Sequence, residues 1–450
     1  MGTPLRRVLV ANRGEIALRI IRACQELGLE TILVHSEADR DSLPARAADQ
    51  AVCIGHAPSA KSYLDPRAIV GAAIAYRADA IHPGYGFLSE KAAFAELCAQ
   101  QDVIFVGPDA RVIAQMGDKV AARRVAKAAG VPTTPGSEGA VADRAEAMKI
   151  ASDIGYPILL KAAAGGGGRG MRIVTRAEDL ERLLGEAMAE AASAFGDAAI
   201  YVESYLANVR HIEIQVLGDG EHVVHLGERD CSTQRRNQKL VEEAPSPVLD
   251  ESLRRRIGES AVALCRRVGY KSAGTVEYIL DQDSGRFYFM EMNTRIQVEH
   301  PVTEMVTGID LVKWQLRIAA GEKLTLRQED IRTRGHAIEC RINAEDFERA
   351  FAPCPGMVST YVAPGGPGVR VDSHMESGYE VPPFYDSLLA KVICWGEDRA
   401  EALARMQRAL GEMRVEGVKT TIAFHRQLLA HEAFRAGRVN TRFVHDVLGY

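Results

Sequence analysis

The chain has 450 residues, 47% of them hydrophobic, which is enough for two to four packed units rather than one. Its 55 Lys+Arg against 60 Asp+Glu leave a formal net charge of −5, so it offers no net attraction to nucleic acid or to an anionic membrane. Apolar runs such as RVLVA (7–11) and AAIA (72–75) fall far short of the roughly 20 residues of a spanning helix, and the N-terminus lacks the charged-then-apolar pattern of a secretory signal. A soluble, cytoplasmic protein with neither a nucleic-acid nor a membrane partner is expected. The eight cysteines are scattered, without CxxC spacing or a nearby histidine cluster, so neither a zinc site nor a disulfide framework is expected.

The first stretch alternates strand and helix patterns. Residues 7–11 read as a buried strand. Residues 15–27 follow with Ile16, Ile20, Ala23 and Leu27 at helical spacing, and Gly28 is a natural helix stop. Segments 31–35, 80–82 and 103–106 give further strands, so a parallel sheet with helices on both faces is predicted. A dehydrogenase is disfavoured, because the turn after the first strand, ANRGE (11–15), carries one glycine where the dinucleotide fingerprint needs three. The breaker-rich VPTTPG (131–136) marks a hinge.

Two strands, 157–161 and 171–174, flank the most unusual stretch, KAAAGGGGRGM. Gly165, Gly166, Gly167 and Gly168 expose backbone N–H groups without side-chain obstruction, which suits a loop that closes over phosphates. No GK[ST] follows, so it is not a Walker A loop. Lys161 ends the strand before the loop and needs an anion; Lys119, at the start of a helix, supplies a second cation.

Residues 274–280 and 287–293 are strand-like, with a turn at 281–285 between them. Folding this hairpin sets Glu277 against Glu291, and two facing carboxylates repel unless a cation lies between them. Magnesium takes hard oxygen ligands and leaves positions for phosphates, and Asn293, on the same face as Glu291, can add a third oxygen. The unbroken apolar run 287–290 predicts a buried strand.

The segment NTRIQVEHP (293–301) is dense in polar groups. Arg295 offers a planar donor fork for a carboxylate-like anion, Gln297 holds the same anion in register, and Glu299, at strand spacing, can act as a general base. The cluster ERDCSTQRRNQK (228–239) adds cations, with Arg235 or Arg236 individually reading as plain loop charges. Arg341 alternates with apolar residues and is expected to point inward.

With these residues in view the chain resembles biotin carboxylase, the ATP-grasp component of biotin-dependent carboxylases. ANRGEIALRI, HPGYGFLSE, MGDK, KAAAGGGGRGM, RHIEIQV, ERDCSTQRRNQK, EMNTRIQVEHPVTEM, ECRINAED and VPPFYDSLLAK carry the likeness in order from about residue 7 to about residue 447. The resemblance implies an α/β ATP-grasp fold in three parts: a Rossmann-like N-terminal domain (1–131), a small mobile lid (132–204), and a core with the C-terminal biotin carboxylase domain (205–450). It implies conversion of bicarbonate, MgATP (or MnATP) and carrier-bound biotin to carboxybiotin, ADP and phosphate through carboxyphosphate.

By motif, Lys119, Lys161, the glycine loop, Glu203, the backbone near Leu206, His211 and Gln234 would surround ATP. Glu277 and Glu291 would bind metal, with Asn293 beside them. Lys239, Arg295, Gln297 and the Val298 backbone would hold bicarbonate, and Glu299 would take its proton. Arg341 would stabilise the enolate-like biotin oxygen, and Tyr85 and Gly86 would border the biotin pocket. Two positions depart from the family pattern: Asn237, where many members carry His, and Ser204, where Lys is common.

AMKI (147–150) imitates a biotin attachment site, but Lys149 lies in a helical pattern. A separate biotin carboxyl carrier protein is therefore expected, as in an acetyl-CoA carboxylase built from several chains and serving fatty acid synthesis, with a separate carboxyltransferase; the resemblance implies a homodimer. The alternatives are another acyl-CoA carboxylase, a different ATP-grasp ligase, or a non-catalytic nucleotide-binding regulatory protein.

Overall fold

A computed structural model describes residues 5–141, 143–162 and 171–450. The N-terminal strands β1 (Arg7–Val10), β2 (Glu30–Ser36), β3 (Gln50–Gly55), β4 (Ala80–His82) and β5 (Ile104–Phe105) form a parallel sheet in the order β3-β2-β1-β4-β5. Helix α1 (Gly14–Glu26) packs Ile16, Ile20, Ile21 and Ala23 into the core beside β1, and Gly28 follows with φ +70°, the left-handed geometry expected of a helix stop.

Because β1 and β4 are neighbours, the loops that leave them emerge together. Asn12 uses this proximity: its Nδ2 donates to the carbonyls of Pro83 and Tyr85, both at 2.7 Å. The fit requires glycine at position 84, where φ is +61° and a Cβ would lie 2.9 Å from Asn12 Nδ2. A side-chain amide on one loop thus fixes the backbone that carries Tyr85 and Gly86.

A small antiparallel sheet follows, β7 (Met171–Val174), β6 (Ile158–Ala162) and β8 (Ile200–Ser204) in that spatial order. Helices Arg144–Ile154 and Leu180–Phe195 cover it over a core that includes Ile158, Leu160, Val174, Ala187 and Val202. Lys149 lies within the first of these helices, as its pattern predicts. The 132–136 segment bridges outward at both ends, Thr133 to Phe289 and Gly136 to Glu203.

The largest sheet is antiparallel throughout. It runs β13 (Arg286–Asn293), β12 (Lys271–Asp281), β9 (Val209–Asp219), β10 (Val223–Arg235), β11 (Gln238–Ala244), β14 (His336–Asn343), then Leu388–Gly396 and Val369–Ser373. On β9 the two-residue period separates two tasks. Ile212, Ile214 and Val216 enter the core beside Ile257, Ala261 and Leu264 of helix Glu251–Val268, while His211, Glu213 and Gln215 occupy the alternate positions. Each buried aliphatic contributes about 1.5–3 kcal/mol, which holds the sheet flat against its helix while the other face collects charge.

The β10–β11 connection is Arg236-Asn237, both with positive φ (47° and 65°), between the paired residues Arg235 and Gln238. That is the geometry of a two-residue hairpin turn, and asparagine adopts it at little cost. The polar string at 228–239 is therefore mostly strand, buried from Glu228 to Arg235, and only its turn is an exposed loop. Among the described residues no helix is long and apolar enough to cross a membrane.

Candidate active site

Strand register builds the site. Glu291 on β13 is the cross-strand partner of Glu277 on β12, Glu277 is the partner of Glu213 on β9, and Glu213 is the partner of Arg229 on β10. Three carboxylates in one row across a sheet repel one another unless cations intervene. Arg229, fully buried, meets Glu213 Oε2 through Nε and Nη2, both at 3.1 Å, and is held by Gln215, Thr275 and Thr303. Lys239 enters from β11. Its Nζ donates to Glu213, to Glu277 at 3.2 Å and to Glu299 at 2.7 Å.

Glu299 is fully buried and bound on both oxygens, by Lys239 and by Arg341 Nη2 at 2.9 Å. Burial acts to raise its pKa, yet Lys239, Arg341 and Arg229 overcome that and hold it well below the usual carboxylate range. It is therefore an ionised acceptor. Arg341 faces inward as its alternation predicts, and Glu242 accepts from its Nε at 2.6 Å. Arg295 is steered by Glu90 Oε2 (2.8 Å), Gln297 Oε1 (2.8 Å) and Asn293 Oδ1 (3.0 Å). One pocket is lined by Tyr85, Gly86, Lys239, Arg295, Gln297, Val298, Glu299 and Arg341. The residues expected to hold bicarbonate and biotin thus share one cavity.

A second cleft meets the carboxylate row at Glu291. Lys119, Lys161, Glu203 and Glu291 line it, together with the apolar Tyr201, Ile279, Phe289 and Met290. Lys119 begins helix Lys119–Ala128, and its pKa is lowered by burial and by Lys161. Glu203 forms an ion pair with Arg123. His211 Nε2 lies 2.9 Å from Glu277 Oε2; burial lowers its pKa, but Glu277 outweighs that and the net shift is upward. Gln234 sits opposite Lys239 across the β10–β11 ladder, and Leu206 is half-buried just after β8. Gly165, Gly166, Gly167 and Gly168 lie outside the described residues.

Two local expectations change. Glu299 does not continue a strand: β13 ends at Asn293, and Glu299 caps helix His300–Thr307 with φ −82° and ψ 11°. The intervening turn brings Glu299 to Lys239. The run 287–290 is not buried throughout, since Met290 is 41% exposed. A register shift pairs Glu277 with Glu291 but Tyr278 with Phe289, leaving Met290 as the extra residue of a bulge that turns it toward the cleft with Glu291.

Three family descriptions match in series: "Biotin carboxylase, N-terminal domain" over residues 4–113, "Carbamoyl-phosphate synthase L chain, ATP binding domain" over 118–327 and "Biotin carboxylase C-terminal domain" over 339–446. A biotin carboxylase of Nostoc sp. is 56% identical over 442 residues, covering 98% of this chain and 99% of that protein. The chain belongs to the biotin carboxylases. A pyruvate carboxylase subunit from Methanothermobacter thermautotrophicus is 52% identical, with 98% of this chain and 89% of that one covered. Among solved structures, the biotin carboxylase domain dimer of Hydrogenobacter thermophilus 2-oxoglutarate carboxylase, in complex with MgADP, ADP and bicarbonate, superposes with a TM-score of 0.91 at 51% identity, covering 98% of this chain and 97% of that one.

This biotin carboxylase keeps hard oxygen donors where a divalent cation fits. Partial desolvation in the cleft and Glu277 together raise the pKa of Glu291, whose side chain still reaches solvent, with Lys119 as the largest opposing influence, so added positive charge there relieves a standing repulsion. Asn293 donates Nδ2 to Glu277 Oε1 at 2.7 Å and accepts Arg295 Nη2 on Oδ1 at 3.0 Å, so its oxygen faces Arg295 rather than the carboxylates, unlike the third metal oxygen expected of it. The deeper groups His211–Glu213–Glu277 and Glu213–Cys231–Glu299 also bring ligand atoms together, but the Lys239 ammonium already supplies their cation.

Several residues of this biotin carboxylase site escaped the sequence reading. Glu213 and Glu242 are buried acids; Glu213 alternates with Ile212 and Ile214 in RHIEIQV, which gave a local signal, whereas Glu242 beside Glu243 in KLVEEA reads locally as a charged strand end. Glu90 ends HPGYGFLSE, and nothing local ties it to Arg295 across 205 residues of chain. Of the two departures, Asn237 occupies the hairpin turn at the pocket rim, while Ser204 donates its backbone N–H to Pro135 O at 2.9 Å, a bond indifferent to the side chain.

Proposed function

We propose that this biotin carboxylase carries out the first half-reaction of an acetyl-CoA carboxylase in fatty acid synthesis, in the cytoplasm and as a homodimer. Its substrates would be MgATP (or MnATP), bicarbonate and the biotin of a separate carrier protein, and a separate carboxyltransferase would use the product. The observation that carries the chemistry is Lys239 reaching Glu213, Glu277 and Glu299 at once, because it joins the phosphate side of the carboxylate row to the anion pocket.

In this reading the cleft of Lys119, Lys161, Glu203 and Glu291 takes ATP, with Tyr201, Ile279, Phe289 and Met290 as the wall for a purine face; Leu206, His211 and Gln234, which stand outside that lining, would complete the ATP site. Glu277 and Glu291, with Asn293 beside them, hold the divalent cation, which neutralises phosphate charge when bound. Arg295, Gln297, Lys239 and the Val298 backbone orient bicarbonate. Glu299 takes the bicarbonate proton as its oxygen attacks the terminal phosphorus, giving carboxyphosphate and ADP. The C–O bond of carboxyphosphate then breaks, the released phosphate takes the ureido proton of biotin, and the nitrogen bonds the freed CO2 carbon; Arg341 stabilises the negative oxygen that biotin carries in between, with Tyr85 and Gly86 at the border. The 132–204 segment closes over ATP and excludes water, which would destroy carboxyphosphate.

The test is ATP hydrolysis that requires bicarbonate and rises with free biotin. Hydrolysis that ignores biotin and responds to ammonia favours a different ATP-grasp ligase. A second reading, service to another acceptor, is favoured by the relatives named for pyruvate and 2-oxoglutarate carboxylases. Reconstitution with a carrier and transferase, offering acetyl-CoA, pyruvate and 2-oxoglutarate in parallel, separates the two.

A further inference from the structure

Lys391 lies on strand Leu388–Gly396, directly opposite Arg341 of β14, and is fully buried. Its Nζ donates to the Val298 carbonyl at 2.8 Å and lies 3.0 Å from Glu15 Oε1. Glu15, in the first turn of α1, also accepts the Tyr85 hydroxyl. One unbroken polar line therefore runs from Tyr85 through Glu15 and Lys391 to Val298. It joins the loop after β4, the first helix, a C-terminal strand and the turn after β13. The other charged groups facing Lys391 are already answered. Asp372, 3.9 Å away, is gripped by Arg370 in two bonds of 2.7 Å, and burial pushes the Glu339 carboxyl well up toward its neutral form.

An ammonium held away from water is costly unless each partner is well placed, and removing one partner of a buried ion pair leaves the other uncompensated. Lys391 therefore fixes Glu15 and the Val298 carbonyl as firmly as they fix it. We propose that Lys391 is a positioning residue that couples the Tyr85 border to the turn Gln297-Val298-Glu299, so that occupation of one end of the pocket is felt at the other. The inference rests on the functional reading in one respect, that bicarbonate binds at the turn and biotin at Tyr85. Through the Val298 carbonyl, Lys391 fixes the backbone between Gln297 and Glu299. Through Glu15 it ties that backbone to the Tyr85 hydroxyl.

The test uses the full chain with Lys391→Met, Tyr85→Phe and the double variant. Hydrogen exchange at the 297–300 amides and the KM values for bicarbonate and ATP in bicarbonate-dependent ATP hydrolysis are the readouts. Lys391→Met is expected to speed exchange and to raise the bicarbonate KM, each by about tenfold, with the ATP KM within about twofold. Tyr85→Phe is expected to raise the bicarbonate KM by about threefold and to add nothing in the Lys391→Met background. Unchanged exchange in Lys391→Met, additive effects, or bicarbonate and ATP KM values that rise together would overturn the coupling. If Lys391→Met does not fold, Glu15→Gln and Tyr85→Phe carry the same test, since each must raise the bicarbonate KM alone. Should the wild type lack bicarbonate-dependent hydrolysis, the functional reading falls, and the exchange rates still decide whether the line exists.

Discussion

Glu299 and Arg341 are joined at 2.9 Å inside one pocket, so the carboxylate read as the base and the guanidinium read as the biotin-side cation share a direct bond. Each holds the other in its charged form. Glu299→Gln keeps the shape and removes the charge. Carboxybiotin formation is expected to fall by about 100-fold or more, with ATP affinity within about threefold. Wild-type turnover in this variant would remove Glu299 from the chemistry.

Glu291 faces the cleft beside Lys119 and opposite Glu277. Glu291→Gln should lower turnover by about tenfold or more and raise the magnesium concentration needed for half-maximal rate. Its melting temperature should stay close to that of the wild type, because repulsion from Glu277 has been relieved. A large loss of folding without a kinetic defect specific to magnesium would contradict the metal role.

Arg229 has no exposure and bonds Glu213, Gln215, Thr275 and Thr303. Arg229→Met strands the Glu213 carboxylate in the interior, so a loss of about 3–5 kcal/mol in urea unfolding is expected. A loss under about 1 kcal/mol would mean that Lys239 alone balances Glu213.

Glu243 should be one contributor to acid sensitivity, beside Glu299, Glu277 and Asp372, which are also held below the usual carboxylate range. Burial acts to raise its pKa, but the hydrogen bond with His336 (2.8 Å) and the Arg399 guanidinium (2.6 Å) more than offset it and lower the value to about 2. A glutamate in the unfolded chain titrates near 4.3, so this stabilisation, on the order of 3 kcal/mol, is fully present above about pH 4.3 and fades as pH falls toward about 2. Glu243→Gln should lower the urea midpoint at neutral pH and flatten its dependence on pH in that window. An acid slope equal to that of the wild type would show that other groups govern it.

The parallel N-terminal strands and the Glu277–Glu291 hairpin were legible because period and turn chemistry are local. Asp281 to Gly285 has turn composition, and alternation then dictates which side chains meet. The rest of the site depends on long-range register. Glu213 reaches Glu277 because β9 lies beside β12, and no segment of sequence states that adjacency. The bulge at Met290 and the turn that carries Glu299 off its strand depend on tertiary fit in the same way. The Lys391–Glu15 contact joins residues from opposite ends of the chain, each of which reads locally as an ordinary charge.

The most direct measurement incubates the purified protein with MgATP, labelled bicarbonate and free biotin, and traps labelled carboxybiotin. The account predicts label in biotin that requires ATP and magnesium, matches ADP release and disappears in Glu299→Gln. ATP consumed with no label reaching biotin would contradict it.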